Sequence, residues 1–269
     1  VVFDSLASRS YHTLEWEPQL AESWVIDEAD SSITYTLRPN LQWSDGEPIT
    51  AKDFVFTANQ LYLREDVSGS TRGFWQSTTE DGVPAFPEFE YVDARRIKIT
   101  LPQMTGAVHD LVAFGAVPMH IFGPLIGWDE EEHGLEYEYE VESDGEGGYT
   151  ITEIKDEGVD YSAVNSFWGV DTDVTEIVGS GPWVVTGYVP DQRVSFAPNP
   201  NYWNVDANGV QLPYLDEMVY VTIPDQDTAL QNFIAGETDA LGLRGEDYSV
   251  LVNRQEELGF TIYSRGPSF

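Results

Sequence analysis

Histidine is the side chain most often put to catalytic or metal-binding use near neutral pH, and this sequence has four: His12, His109, His120 and His133. None stands at the His-Glu-x-x-His spacing or another interval at which neighbouring side chains share a metal. The absence of cysteine removes thiolate sites and disulfides as well. His120 reads as a capping or packed residue. Asn204-x-Asp206-x-Asn208-Gly209 imitates the start of a calcium loop, but its twelfth position is Leu215, where such a loop needs a bidentate glutamate. Tyr202-Trp203 and Pro213 do not suit flanking helices either, so the stretch reads as a turn. Residues 178–183 carry Gly-x-Gly followed by proline, which is not a phosphate-cradling loop, and no Gly-x-Ser-x-Gly elbow is present. The 47 acidic residues make some pair of carboxylates at glycosidase spacing unavoidable by chance, so their abundance says nothing about hydrolysis. No metal and no cofactor are expected.

Thirteen Lys and Arg against 47 Asp and Glu give a formal net charge of -34, which repels phosphate backbones and anionic membrane surfaces. Nucleic acid is excluded as a partner on that ground. The acids are spread along the whole chain, as on a solvated surface. With 41% hydrophobic and 13% aromatic residues, the 269-residue chain can bury a core in one large domain or two modest lobes. No apolar run approaches the roughly 20 residues that span a bilayer. The opening Val1-Val2-Phe3-Asp4 lacks the regions of a signal peptide, so the sequence is expected to be a soluble mature chain.

Periodicity supplies the elements that must position any site. Residues 32–38 alternate Ile33, Tyr35 and Leu37 with Thr34, Thr36 and Arg38, which predicts a strand with one buried face, and residues 97–101 predict a second. Between them Thr50 and Asp53 form a capping signature ahead of Phe54, Ala58, Leu61 and Tyr62, the stripe of an amphipathic helix. Residues 137–141 and 149–152 alternate around a Gly-rich turn and predict a protruding hairpin, set in an acidic stretch over 124–165 that reads as an insertion. Residues 183–189 and 193–197 predict another hairpin. Beyond it the pattern predicts strand 218–223, helix 227–235 ended by Gly236, strand 239–243, helix 246–257 closed by Gly259, and strand 260–263. Strands alternating with helices predict crossover units on an α/β sheet.

Four motifs then carry a resemblance. Ala21-Glu22-Ser23-Trp24 leads through the strand ending Leu37-Arg38 to Trp43-Ser44-Asp45-Gly46-Glu47-Pro48-Ile49-Thr50-Ala51-Lys52-Asp53. Further on come Val178-Gly179-Ser180-Gly181-Pro182-Trp183, Asn199-Pro200-Asn201-Tyr202-Trp203, Leu212-Pro213-Tyr214-Leu215-Asp216 and Ala235-Gly236-Glu237-Thr238-Asp239-Ala240. In this order the motifs resemble the family 5 extracellular solute-binding proteins, among them oligopeptide-, dipeptide- and nickel-binding proteins. Most of these residues read as structural: the glycines set a backbone crossing, while Trp24, Trp43, Tyr202 and Trp203 pack cores.

The resemblance implies a type II periplasmic-binding fold of mixed α/β architecture. One lobe is expected from residues 1–12 plus 178–269, a second, α+β lobe is inserted as 13–177, and the family's C-terminal lobe is absent. It implies a binding protein, not an enzyme, that captures peptides outside the cytoplasm by lobe closure and delivers them to the permease of an ABC importer. Membrane attachment is expected only through that permease or an N-terminal lipid anchor outside the chain. Oligosaccharide capture is the alternative, since 8 Trp and 14 Tyr could supply platforms for sugar rings, and a carboxylate-based hydrolase is an alternative of another class. By resemblance the ligand-contacting segments are Phe3, Ser5 and Leu6 at the start, Arg244 and Gly245 after strand 239–243, and Tyr263, Arg265 and Gly266 at the end. Arg244 and Arg265 stand out because bases are scarce and an arginine grips a carboxylate through two parallel hydrogen bonds; the competing reading is a surface arginine paired with the abundant acids.

Overall fold

The computed structural model describes residues 2–10, 13–69, 71–169 and 171–263. Two short strands, β1 (Ala7–Arg9) and β2 (Trp16–Pro18), pair antiparallel and lead into β3 (Ala21–Asp27). In β4 (Ser32–Leu37) the predicted alternation is realised, with Ile33, Tyr35 and Leu37 fully buried and Thr34 and Thr36 partly open. Helix α1 (Ala51–Phe56) starts in a capping box: the Thr50 hydroxyl accepts from the Lys52 amide, and the Asp53 carboxylate accepts from the Thr50 amide at 2.8 Å. After α2 (Thr71–Trp75) and the ribbon β5 (Ser77–Thr78) with β6 (Pro84–Ala85), strands β7 (Glu88–Asp93) and β8 (Arg96–Thr100) complete an antiparallel sheet in the order β3-β4-β8-β7. Its register sets Ile33 opposite Ile99 and Tyr35 opposite Ile97, so one face is apolar, and α1 packs on it. Tyr35, Trp43, Phe54 and Ile97 are all at zero exposure there; burying a side chain of that size stabilises by about 1.5–3 kcal/mol.

The helix stripe predicted to continue past α1 does continue, but not as α-helix. Residues Thr57–Tyr62 form a π turn in which the Leu63 amide reaches back to the Ala58 carbonyl. The cause is polar: Thr57, Asn59 and Gln60 are buried, and each side chain bonds a backbone partner. Thr57 Oγ1 donates to Asp53 O and accepts from the Val117 amide, Asn59 Nδ2 donates to Phe89 O and Leu135 O, and Gln60 Nε2 donates to Glu136 O. The wide turn aims those groups at carbonyls that a tighter spiral would miss.

Helices α3 (Val108–Val112), α4 (Met119–Ile126) and α5 (Glu130–His133) lead to the acidic hairpin of β9 (Glu138–Ser143) and β10 (Tyr149–Ile154). Its tip stands in solvent on Gly145 and Gly147, both at positive φ. Its base is docked on the π turn by Arg64. The Arg64 and Glu153 side chains are each 1% exposed with Nη1 and Oε1 3.2 Å apart, Nη2 reaches Asp156 at 3.1 Å, and the guanidinium lies 4.3 Å from the Tyr161 ring centre.

Strands β11 (Trp183–Val189), β12 (Arg193–Pro198) and β13 (Met218–Val221) form a second antiparallel sheet, with Asp191 at φ 59° turning the expected hairpin. Asp225 caps α6 (Gln226–Ile234), and Gly236 at φ 75° follows it. Here the crossover expectation is corrected. Segments 239–243 and 260–263 form no strand, and every pairing among the described residues is antiparallel. A strand exists only where a neighbour supplies its ladder, and these two flank an open groove. The helix predicted over 246–257 divides into α7 (Gly245–Leu251) and α8 (Gln255–Leu258), separated by a turn in which the Arg254 amide bonds Leu251 O. No helix among the described residues is long and apolar enough to cross a membrane.

Candidate functional site

Three of the sequence motifs, far apart in the chain, converge on one backbone seam. The Ser44 amide donates to Gly179 O at 2.9 Å, and the Gly179 amide donates to Ser44 Oγ at 3.1 Å. Asn201 Nδ2 donates to Ser44 O, Asn199 Nδ2 donates to Gly181 O, and the Gly181 amide donates to Val2 O. A Cβ on Gly179 would lie 2.2 Å from Val2 O, which is why glycine stands there. Trp43 is buried in the main core below this seam, its indole N–H donating to Asp53, and the Asp53 carboxyl is pushed up by burial despite its hydrogen bonds.

The opening segment is held against the seam through Asp4. Its amide donates to Ser180 Oγ at 3.0 Å, while Oδ2 accepts from Tyr202 Oη at 3.0 Å and from Trp203 Nε1 at 3.1 Å. Burial raises the Asp4 carboxyl above its ordinary range against the lowering effect of those two donors, and burial with the nearby carboxylate raises the Tyr202 hydroxyl. The Arg38 guanidinium lies over the Trp203 ring at 4.1 Å. The sequence does not single out Asp4, because one acid among 47 carries no signal.

The other expected contact residues fall as follows. The Phe3 ring packs 5.7 Å from Trp168. Ser5 Oγ donates to Ala7 O at 2.7 Å, and Leu6 is fully buried in the main core with its carbonyl accepting from Gln19 and Ala21. The Arg244 donors go to three acids: Nε and Nη2 to Asp247 at 2.9 and 2.8 Å, Nη2 to Asp227 at 2.8 Å, and Nη1 to Glu246 at 3.1 Å. Those carboxylates hold the guanidinium pKa above its already high value. Gly245 opens α7, and Tyr263 is 87% exposed. Arg265, Gly266 and His12 lie outside the described residues. Leu243 and Tyr263 share an open groove of about 590 Å³ floored by Phe233, Leu241, Leu251 and Phe260; residues 3–6 do not line it.

The remaining candidates take structural posts. In the 204–209 stretch Asp206 Oδ1 accepts from the Asn208 and Val210 amides and Gly209 sits at φ 80°, the turn that the sequence suggested. His109 Nδ1 lies 2.7 Å from Tyr35 Oη between the Trp16 and Trp24 rings, and burial lowers its pKa. His120 departs from the capping or packed reading: it is partly exposed on the first turn of α4, with Nε2 2.8 Å from Asp45 Oδ2 beside the seam. Among the described residues no group of three or more His, Cys, Asp or Glu converges on a metal position.

The family model described as "Bacterial extracellular solute-binding proteins, family 5 Middle" matches residues 15–267. The chain belongs to that family. Among curated relatives it is 28% identical over 231 residues to a "Probable ABC transporter-binding protein" of Deinococcus radiodurans, an alignment covering 84% of this chain and 33% of the relative. It is 27% identical over 226 residues to a periplasmic alpha-galactoside-binding protein of Rhizobium meliloti, covering 84% and 28%. Among solved structures, the oligopeptide-binding protein OppA superposes with a TM-score of 0.68 at 21% identity, covering 95% of this chain and 38% of that one. That likeness shows the type II periplasmic-binding fold. The chain spans about a third of the length of the relatives it matches.

Proposed function

We propose that this chain forms the frame of an extracytoplasmic substrate-binding protein that captures peptides and presents them to the permease of an ABC importer. The observation that carries the reading is the seam, where segments 2–4, 43–46, 178–183 and 199–203 lock together through backbone hydrogen bonds and a glycine with no room for a side chain. In this reading the seam is where a lobe of residues 1–12 and 178–269 meets a lobe of residues 13–177. Closure follows when a further lobe of the full-length protein, the opposing wall of the cleft, swings over a ligand held on this frame, because the closed arrangement holds the ligand from both sides and the open one from a single side. Peptide is favoured over other solutes by the fold shared with an oligopeptide-binding protein, and by the groove at 239–263, whose walls carry no strand partner among the described residues, as an edge that an added extended chain would use. The relative named for alpha-galactoside binding supports the second reading, an oligosaccharide ligand, for which aromatic faces would do the recognition.

Thermal unfolding of the full-length protein decides between them. A ligand at about 100 times its Kd stabilises by about 2.7 kcal/mol, roughly 5–10 °C for a domain of this size. A mixture of tripeptides to pentapeptides is expected to produce that shift and an α-galactoside trisaccharide is not. A shift with the sugar alone transfers the assignment to oligosaccharides, and turnover of chromogenic glycosides or peptides refutes both binding readings.

A further inference from the structure

We infer that the groove at 239–263 selects apolar peptides that carry positive charge, an inference that rests on the peptide-capture reading above. Its floor of Phe233, Leu241, Leu251 and Phe260 suits apolar side chains, and Asp239 is the one charged residue in its lining. Asp239 belongs to a motif block whose residues read mostly as structural, yet it holds no structural post. The residue is exposed, and its carboxylate makes no hydrogen bond or ion pair with the described residues. An apolar ligand group laid over that carboxylate strips its water without replacement, whereas an ammonium or guanidinium gives it a charge-assisted hydrogen bond.

Nothing beside the groove offsets that preference. Between Asp225 and Tyr263 the sequence has eight acids and two bases, Arg244 and Arg254, and both bases are engaged. Arg244 divides its donors among Asp227, Glu246 and Asp247, so one cation meets three anions directly after Leu243 of the groove wall. The cluster around Arg244, which rarity marked as a carboxylate grip, is net negative instead. Arg254 is turned to Glu257 at 3.2 Å. Among the described residues no Lys or Arg lines the groove, and a ligand carboxylate finds no free base on this wall. At the scale of the whole chain, a net charge of -34 draws cations toward the surface and repels anions. Local and overall fields have the same sign, so peptides containing lysine or arginine are both concentrated near the groove and retained in it.

Calorimetry on the full-length protein with three tetrapeptides, Lys-Leu-Leu-Lys, Ser-Leu-Leu-Ser and Glu-Leu-Leu-Glu, tests the inference. In about 0.1 M NaCl the lysine peptide is expected to bind about tenfold more tightly than the glutamate peptide or better, with the serine peptide between them. In about 1 M NaCl, where the screening length falls from about 10 Å to about 3 Å, the ratio is expected to shrink to about threefold or less. Asp239→Lys is expected to cut the ratio at low salt by about threefold or more. Glu146→Lys makes the same change of net charge at the exposed tip of the β9–β10 hairpin and is expected to leave the ratio near the parent value. The inference is overturned if the glutamate peptide binds as tightly as the lysine peptide. It is overturned equally if the two charge reversals lower the ratio alike, because the selection then belongs to the overall field and not to the groove. Three peptides that bind alike leave capture standing and remove the charge selection, while three that fail to bind remove both.

Discussion

Replacing Arg64 with methionine tests how the acidic hairpin is held to the rest of the molecule. Arg64 directs its donors to Asn59 O at 2.9 Å, Glu153 Oε1 and Ile154 O at 3.2 Å, Gln60 Oε1 at 2.5 Å and Asp156 Oδ2 at 3.1 Å. Methionine retains much of the stem volume but leaves Glu153, with a side chain 1% exposed, as a buried anion without its cation. Breaking such a pair from one side costs about 3–5 kcal/mol, because the orphaned charge keeps its desolvation penalty. For a domain of this size that is roughly 6–20 °C in Tm. Urea unfolding followed by tryptophan fluorescence at pH 8 measures the loss. Arg64→Met/Glu153→Met, which removes both charges, is expected to recover about half of the loss or more. The reasoning is refuted if the single variant loses under about 1 kcal/mol at pH 8, or if the double variant is no more stable than the single.

Three further outcomes follow from the seam and the core. Gly179→Ala places a methyl group 2.2 Å from Val2 O and is expected to destabilise by about 2 kcal/mol or more, with faster hydrogen exchange at the Gly181 amide, the donor to Val2 O. The folded-state pKa of Asp4 is raised, so its ionisation opposes folding and the cost appears as pH rises above its unfolded value. Asp4→Asn can still accept from Tyr202 and Trp203, and urea titrations from pH 3.5 to 7 are expected to show it losing less stability than the parent over that rise. His109 has the opposite sense: burial lowers its folded-state pKa, so its contribution is complete above the unfolded value near 6.5 and is lost as pH falls toward the folded one. His109→Phe is expected to flatten stability between pH 7 and 5, and an unchanged slope in that variant counts against the assignment.

Segments that decide their own conformation were legible in the amino-acid order. Thr50 and Asp53 close a helix start with atoms four residues apart or fewer, the alternation in 32–37 places Ile33, Tyr35 and Leu37 on one face, and Asp206 folds its own turn. Segments that depend on distant partners were not. The apolar residues of 239–243 and 260–263 fit a strand as well as they fit an irregular groove wall, and only the absence of a ladder tells them apart. The helix stripe through Phe54, Ala58, Leu61 and Tyr62 was visible, but the widening at Thr57–Tyr62 depends on carbonyls of Phe89, Leu135 and Glu136. In the site, the motif blocks announced a backbone crossing through their glycines, yet nothing local marked Asp4 as the acid that Tyr202 and Trp203 would share. Arg244 stood out for its rarity, and Asp247 three residues later is the neighbour that takes most of its donors.

The wide turn at Thr57–Tyr62 also bears on how the molecule could have been altered by small steps. Apolar residues in place of the buried Thr57, Asn59 and Gln60 would remove the bonds that hold the turn wide, let the spiral close to its usual pitch and swing Arg64 by roughly 100° around the axis. Arg64 would then face away from Glu153, and the hairpin would be left with a dry carboxylate and no counter-charge. Trimming the hairpin alone would remove Glu153 and leave the buried Arg64 guanidinium with Asp156 as its remaining carboxylate partner. Descendants of this chain can therefore keep both features or shed both, but a lineage that loses either one singly must first make a less stable protein.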